Sequence, residues 1–127
     1  YQFVIPFQHA KEGLRTILDK IGKSGLASFL TVLKSLGPGE HLLSFPMPGF
    51  TLALDFPVSE NIFPLLDELD KVVVDLGGRI YLVKDARMQP EIFQKGYSNA
   101  DRFKELVSRF DPDHRFSSSL SKRLRLL

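Results

Sequence analysis

The spacing of apolar residues divides the first third of the chain into a strand, a helix and a second strand. Tyr1–Phe7 is aromatic and β-branched, which favours a strand that Pro6 closes. Over Gln8–Lys23, apolar side chains recur every three or four residues, the spacing of an amphipathic helix, and Gly25 ends it. Ser28–Leu36 is predicted as the second strand.

The same order then recurs after a proline-containing segment, 40–48, which predicts an extended loop. Phe50–Val58 alternates between apolar and polar or small residues, as a half-buried strand does. Ser59 is a suitable N-cap for a helix over Glu60–Leu76, whose apolar residues form a wide stripe. Ile80–Val83 is predicted as a fourth strand.

The resulting order, βαββαβ, predicts an α+β protein with the ferredoxin-like split βαβ fold. In that fold a four-stranded antiparallel sheet carries both helices on one face and leaves the other face open. We expect residues 1–84 to form this domain and residues 85–127 to form a helical C-terminal extension packed on it. Within the extension, we expect one helical turn at 90–94, a helix over Ala100–Arg109 capped by Asn99, and a last short helix.

Strand alternation assigns side chains to the two faces of the predicted sheet. On each strand, the more apolar of the two sets of side chains should pack against the helices, because burial of apolar surface drives folding. The open face then carries Gln2, Leu30, Val32, Lys34, Thr51, Ala53 and Asp55. Such a face is usually just solvated. Its apolar members favour the alternative that it forms the wall of a binding pocket, covered by a partner surface.

A dense group of charges follows the fourth strand. Lys84, Asp85 and Arg87 stand where turn residues usually end a strand, which suggests that something binds at this sheet edge. Regular alternation cannot place both Tyr81 and Lys84 on the open face. Either the strand bulges there, or Lys84 lies beyond its end.

Composition excludes several other functions. The net charge is only +2, which gives weak support for nucleic-acid binding, and without cysteine there is neither a disulfide framework nor a thiolate metal site. The three histidines lack metal-ligand spacing, so no metal site is expected. No run of residues is apolar enough to span a membrane, so the cytoplasm is the default location. The basic residues Lys122, Arg123 and Arg125 are either a solvated tail or a docking element for a phosphate-bearing cofactor or another domain.

Eight short motifs carry a resemblance to a known family. They are Tyr-Gln-Phe-Val at 1–4, Ser-Phe-Leu-x-Val-x-Lys at 28–34, Gly-Pro-Gly at 37–39, Leu-Ser-Phe-Pro-x-Pro-Gly at 43–49, Asp-Phe-Pro at 55–57, Gly-Gly-Arg-x-Tyr at 77–81, Lys-Asp-x-Arg at 84–87 and Asp-Pro at 111–112. With them, nearly the whole chain resembles the C-terminal substrate-binding (cap) domain of FAD-linked oxidases of the vanillyl-alcohol-oxidase type. Since the chain also begins with Tyr1 in a strand-like run, we expect a portion of a longer protein.

The resemblance implies an FAD-dependent oxidoreductase that oxidises a sugar-like alcohol, with hydride passing to flavin N5. FAD would be held mainly by a preceding domain of the same polypeptide, on which residues 85–127 would also pack. These 127 residues alone would therefore be inactive. The substrate would be a sugar-like or polyprenyl-linked sugar alcohol. Peripheral membrane association of the full-length protein is left open, and no nucleic-acid partner is implied.

The resemblance also implies roles for individual residues. The family positions that match Gln2, Lys34, Tyr81 and Lys84 line the substrate and flavin site, with Lys84 near the pyrimidine end of the flavin. A fixed cation there would stabilise negative charge on the reduced flavin, so Lys84 and Lys34 are assigned to catalysis, and Tyr81 and Lys84 to cofactor binding. Substrate binding is assigned to Gln2, Leu30, Val32, Lys34, Thr51 and Ala53.

Two departures and one alternative remain. Ala53 and Thr51 stand where a member of the family has cysteine and asparagine, which leaves the substrate open. The alternative is a stand-alone ferredoxin-like module that either binds a small ligand or serves as a regulatory domain. An RNA-recognition module is disfavoured, because Phe3, Phe50 and Phe56 fall on the helix-facing side and not on the open face.

Overall fold

Four strands form one antiparallel sheet in the computed structural model, which describes all 127 residues. They are β1 (Gln2–Pro6), β2 (Leu30–Leu36), β3 (Gly49–Asp55) and β4 (Arg79–Ile80). The sheet order is β2-β3-β1-β4, and each neighbouring pair is antiparallel. This is the strand order of the split βαβ arrangement. The predicted α+β fold class is confirmed.

Five α-helices complete the fold. They are α1 (Phe7–Ser24), α2 (Ile62–Asp75), α3 (Pro90–Gly96), α4 (Ala100–Phe110) and α5 (Ser119–Arg123). Helices α1 and α2 contact each other, and both contact β1. They therefore cover the same face of the sheet, as expected. Helix α3 contacts α2 and β4, which places it beside the β4 edge.

The core lies between this face and the two helices. Phe3 and Ile5 of β1 and Leu52 and Leu54 of β3 are at most 3% exposed, because alternation turns all four toward the helices. Each such side chain contributes about 1.5–3 kcal/mol on burial. Residues of the extension join the same hydrophobic cluster: Met88, Phe93, Tyr97, Ala100, Leu124 and Leu126.

The predicted fourth strand is wrong in its extent. Regular pairing covers only Arg79 and Ile80, and one further bond joins the Tyr81 amide to the Gln2 carbonyl at 2.9 Å. The chain then turns into a 3₁₀-helix over Leu82–Lys84. The backbone stops pairing after Tyr81 because this 3₁₀ turn takes Leu82–Lys84 away from β1.

The helix starts show one further difference. The residue that precedes α2 is Asn61 and not Ser59, and neither side chain caps the helix. Instead, the Ser59 carbonyl accepts a turn bond from the Ile62 amide. By contrast, α5 begins with a capping box, in which Ser118 and Ser121 bond to each other's backbone amides.

Candidate functional site

Strand register places four of the predicted site residues in one row across the open face. Gln2 pairs with Ala53, which pairs in turn with Val32. On the other side of β1, Tyr81 lies next to Gln2, to whose carbonyl its amide donates. Directly paired residues project from the same face of a sheet. Tyr81, Gln2, Ala53 and Val32 therefore form a continuous row.

The neighbouring row contains Arg79, Val4, Thr51 and Lys34, which are paired in that order. Thr51 is only 2% exposed. Its hydroxyl donates to the Phe3 carbonyl at 2.8 Å and accepts from Gln2 Nε2 at 3.1 Å. The Thr51 hydroxyl therefore holds Gln2 in place, and Gln2 is the more accessible of the two.

The 40–48 loop covers part of the face that was expected to be open. Phe45 stacks on Tyr81 with ring centroids 4.5 Å apart, and Arg79 Nη1 donates to the Ser44 carbonyl at 2.7 Å. Val4 and Phe45 are 0% and 8% exposed, yet neither belongs to the main core cluster. The face is thus buried at Val4 and Thr51 and stays accessible over β2. The sequence analysis did not predict that the 40–48 loop packs on this face. The available indication was Phe45, an aromatic residue in a proline-containing loop.

Strand β2 remains exposed on both sides. Leu30 on the open face and Leu33 on the opposite face are 53% and 54% exposed, and Phe29 is 76% exposed. The more apolar side chains were expected to pack against the helices on every strand. This is right for β1 and β3 and wrong for β2. Lys34 is exposed on this strand and has no carboxylate partner.

Lys84 lies beyond the end of β4, which decides between the two alternatives for this stretch. Its amide donates to the Tyr81 carbonyl at 3.2 Å, within the 3₁₀ turn. Its exposed side chain lines a cavity of about 200 Å³ at the end of the sheet, together with Tyr1, Phe56 and Phe63. Tyr81, and not Lys84, continues the row on the open face.

The remaining charges of this segment are engaged within the chain, which corrects the interpretation that all of them mark a binding site. The Asp85 side chain is 2% exposed, and its Oδ1 accepts from the Met88 amide at 2.8 Å and the Arg87 amide at 3.1 Å. Its Oδ2 lies 2.8 Å from Arg123 Nη1 of α5, a contact of opposite charges without hydrogen-bond alignment. Only Lys84 is left for an external ligand.

Arg87 forms a second internal network with helix α2. Its Nη1 and Nη2 donate to the two carboxylate oxygens of Asp70 at 2.8 and 3.0 Å, and Nη1 also contacts Asp67. The Tyr1 hydroxyl donates to Asp70 Oδ1 at 2.8 Å. Burial, with the Asp70 charge, raises the pKa of the Tyr1 hydroxyl well above its ordinary value. Burial also raises the pKa of Asp70, against the opposing effect of Arg87.

The basic residues at the C-terminal end, Lys122, Arg123 and Arg125, also divide into residues that pair within the chain and one that does not. Arg123 pairs with Asp85, and Arg125 contacts Glu91 of α3 at 3.5 Å, while Lys122 is exposed without a carboxylate partner. The solvated-tail interpretation is therefore wrong for Arg123, which docks on the chain itself.

These residues can supply one wall of a flavin or substrate site. Lys34 and Lys84 are exposed cations without carboxylate partners, which suits an anionic ligand or one that gains negative charge. None of the five principal cavities is lined by Gln2, Val32, Lys34 or Tyr81. No group of three His, Asp or Glu residues is placed to hold a metal ion, and none of the helices could cross a membrane.

Fold and strand register together define a split βαβ domain with a row of candidate site residues across one face of its sheet. Over its whole length, the chain is 41% identical to decaprenylphosphoryl-beta-D-ribose oxidase of Mycolicibacterium smegmatis, in an alignment of 128 residues that makes up 28% of that oxidase. It is also 38% identical, over 115 residues, to a Streptomyces coelicolor protein described as an uncharacterized protein in the mprA 5′ region. That alignment covers 89% of this chain and 31% of the relative.

The chain thus spans less than a third of the length of both relatives. No family model matches it. The identity with an oxidase along the whole chain confirms the resemblance found in the sequence. This match is consistent with a C-terminal domain of an FAD-linked oxidase.

Proposed function

We propose that this chain is the C-terminal substrate-binding portion of a longer FAD-dependent oxidoreductase that oxidises a sugar-like alcohol. The observation that carries the proposal is the 41% identity to an oxidase along the entire chain. Because that alignment makes up only 28% of the oxidase, the FAD is held mainly by another domain of the same polypeptide. The flavin, when bound, accepts hydride at N5 from the substrate carbon.

The open-face residues, together with Lys84 at the end of the sheet, divide into contacts for the cofactor and contacts for the substrate. Tyr81, held by its stack on Phe45, and Lys84 contact the cofactor. A fixed ammonium group beside the flavin stabilises the negative charge that reduction produces. Lys34 supplies a second positive charge on the substrate side. The substrate contacts are Gln2, Leu30, Val32, Lys34 and Ala53. Thr51, which was predicted as a further contact, is buried and acts by holding Gln2 through its hydroxyl.

The exposed apolar residues of β2 support a partner surface outside these 127 residues. Strand β2 is an edge strand with free backbone groups, and Phe29, Leu30 and Leu33 are each more than half exposed. Such an edge promotes aggregation unless something covers it. We propose that the FAD-binding domain, or chain adjoining it, does so. The name of the mycobacterial relative makes a polyprenyl-linked sugar the first substrate to test.

The test uses the full-length polypeptide and residues 1–127 alone. Both are purified, their flavin content is measured, and each is mixed anaerobically with alditols and with ribosyl lipids while the flavin absorbance is followed. We expect stoichiometric FAD and substrate-driven reduction in the full-length protein, and no FAD on the isolated portion. Stoichiometric FAD on the portion, or none on the full-length protein, would contradict the proposal.

A further inference from the structure

The residue that follows Lys84 is a nearly inaccessible carboxylate. Asp85 is 2% exposed at its side chain, while the neighbouring Lys84 is exposed. Through Oδ1, Asp85 ties together the turn that it begins, because it accepts from the amides of Arg87 and Met88. Through Oδ2, it faces Arg123 at 2.8 Å. One carboxylate thus joins the 85–88 turn to helix α5.

Arg123 closes this arrangement from the other side. Its Nη1 donates to the Met88 carbonyl at 2.7 Å as well as contacting Asp85. The guanidinium therefore holds both ends of the 85–88 turn. Its side chain is 26% exposed, so the pair is largely shielded from solvent. We call Asp85 and Arg123 the turn clamp.

The turn clamp matters for Lys84 because little else fixes that residue. The 3₁₀ turn is held by two backbone bonds of 3.2 Å, from Lys84 to Tyr81 and from Asp85 to Leu82. The Lys84 side chain has no carboxylate partner of its own. A long side chain on a loose turn samples many positions, so its charge acts at a defined point only when its backbone is fixed.

A contribution to stability does not by itself explain why Asp85 and Arg123 form a buried ion pair. Replacing a buried ion pair with apolar residues is often neutral or stabilising, since desolvation offsets the attraction of the charges. A pair that contributes little net stability still fixes geometry. Here the geometry that it fixes is that of the turn directly attached to Lys84.

We propose that Asp85 and Arg123 are positioning residues that hold Lys84 at the flavin-facing end of the sheet. The inference rests on the proposed function, because it requires that Lys84 acts on the bound flavin. Neither residue touches cofactor or substrate. Both act through the backbone of Lys84.

The test compares four variants of the full-length, FAD-loaded protein. Lys84→Met removes the cation, Arg123→Met breaks the clamp, Arg123→Lys keeps a charge, and Asp85→Asn with Arg123→Met removes both charges together. Arg125→Met is the matched control, because Arg125 is also a basic residue at the end of α5 but pairs with exposed Glu91. The readouts are hydrogen exchange over residues 82–88, the flavin reduction potential, kcat and KM, and the unfolding temperature.

With the clamp broken, we expect faster exchange over 82–88, a lower reduction potential, and kcat reduced by about 10- to 100-fold, because small misplacements of a catalytic group have effects of this size. KM should change little. The double variant should regain unfolding temperature but not kcat, while Arg123→Lys should regain part of both. Arg125→Met should behave as the wild type.

Each contrary outcome points to one fault. If Lys84→Met leaves the potential and kcat unchanged, the role proposed for Lys84 is wrong. If Lys84→Met has its effect but the double variant has wild-type kcat and exchange, the clamp is purely structural and the inference fails. Should Arg123→Met not fold, the double variant and Arg123→Lys decide the matter in the same way.

Discussion

At the scale of single residues, the charged segment after β4 is tied to the rest of the chain by ion pairs. Two of the three charges of Lys-Asp-x-Arg at 84–87 are used inside the chain, since Arg87 pairs with Asp70 and Asp85 with Arg123. That division was not predictable, because their partners are distant in sequence: Asp70 lies in α2 and Arg123 in α5. The one available signal was Asp70 itself, an acidic residue in the apolar stripe of a predicted helix.

The Arg87–Asp70 pair gives a stability prediction. Replacing Asp70 with Ala leaves the Arg87 guanidinium without its two-bond partner, and should destabilise the protein by about 3–5 kcal/mol, as loss of one member of a buried pair does. Asp75→Ala is the matched control in the same helix, since Asp75 pairs with Lys95 on the surface. It should change stability by about 0–1 kcal/mol. Urea unfolding of both variants tests this, and equal losses would contradict it.

Asp111 gives a pH prediction. The amides of Arg115 and Phe116 donate to its carboxylate at 2.8 and 2.9 Å, which lowers the pKa of Asp111 below its ordinary value. A lowered folded-state pKa adds stability above the unfolded-state value of 3.8, and this is lost as pH falls through the folded-state pKa. Asp111→Asn should therefore be less stable than wild type near neutral pH, with the difference shrinking below about pH 4. A difference that is constant between pH 2 and pH 7 would contradict this.

At the scale of elements, the long periodic segments were predictable and the short ones were not. Helices α1 and α2 and strand β3 follow their hydrophobic periods closely. The predicted extent of β4 was wrong because the chain turns into a 3₁₀-helix at Leu82, and the apolar run Ile80–Val83 gives no sign of that turn. The 40–48 loop was recognised as a loop, but its stacking on Tyr81 depends on a contact between residues 36 positions apart.

Gly78 carries the element-scale prediction, because it marks the close approach between β1 and the end of α2. A Cβ at Gly78 would lie 2.3 Å from the Val4 carbonyl oxygen and 2.9 Å from atoms of Val73. Gly78→Ala should therefore destabilise the protein by about 1–3 kcal/mol. Gly22→Ala is the control, since nothing lies within 4 Å and the position is helical. It should stabilise by about 0.5–1 kcal/mol. Thermal unfolding that ranks the two in the opposite order would refute this explanation.

At the scale of the whole molecule, the fold class was predictable but the completeness of the site was not. The strand rows bring Tyr81, Gln2, Ala53 and Val32 together, yet none of these residues lines one of the five principal cavities. Periodicity says which face a residue occupies. It does not say what covers that face.

The uncovered apolar surface predicts how the 127-residue portion behaves alone. Leu30 and Leu33 on the edge strand β2, with Phe29 directly before it, should cause concentration-dependent self-association. Sedimentation velocity should show a smaller associated fraction for Phe29→Ser with Leu33→Thr. Val58→Thr is the control, because Val58 is 85% exposed but lies outside the sheet. A monomer at all concentrations, or an equal effect of the control, would contradict this prediction.

The central claim is that this chain forms the substrate-facing wall of a flavin site. Its most direct test is the rate at which a sugar-like alcohol reduces the flavin in the full-length protein, in anaerobic stopped-flow mixing. We expect reduction in the wild type and a rate lower by on the order of 100-fold in Lys84→Met, the loss typical of removing one preorganised electrostatic group. Exposed Lys11→Met on α1 should match the wild type. Equal rates in Lys84→Met and wild type, or a full-length protein without flavin, would contradict the claim.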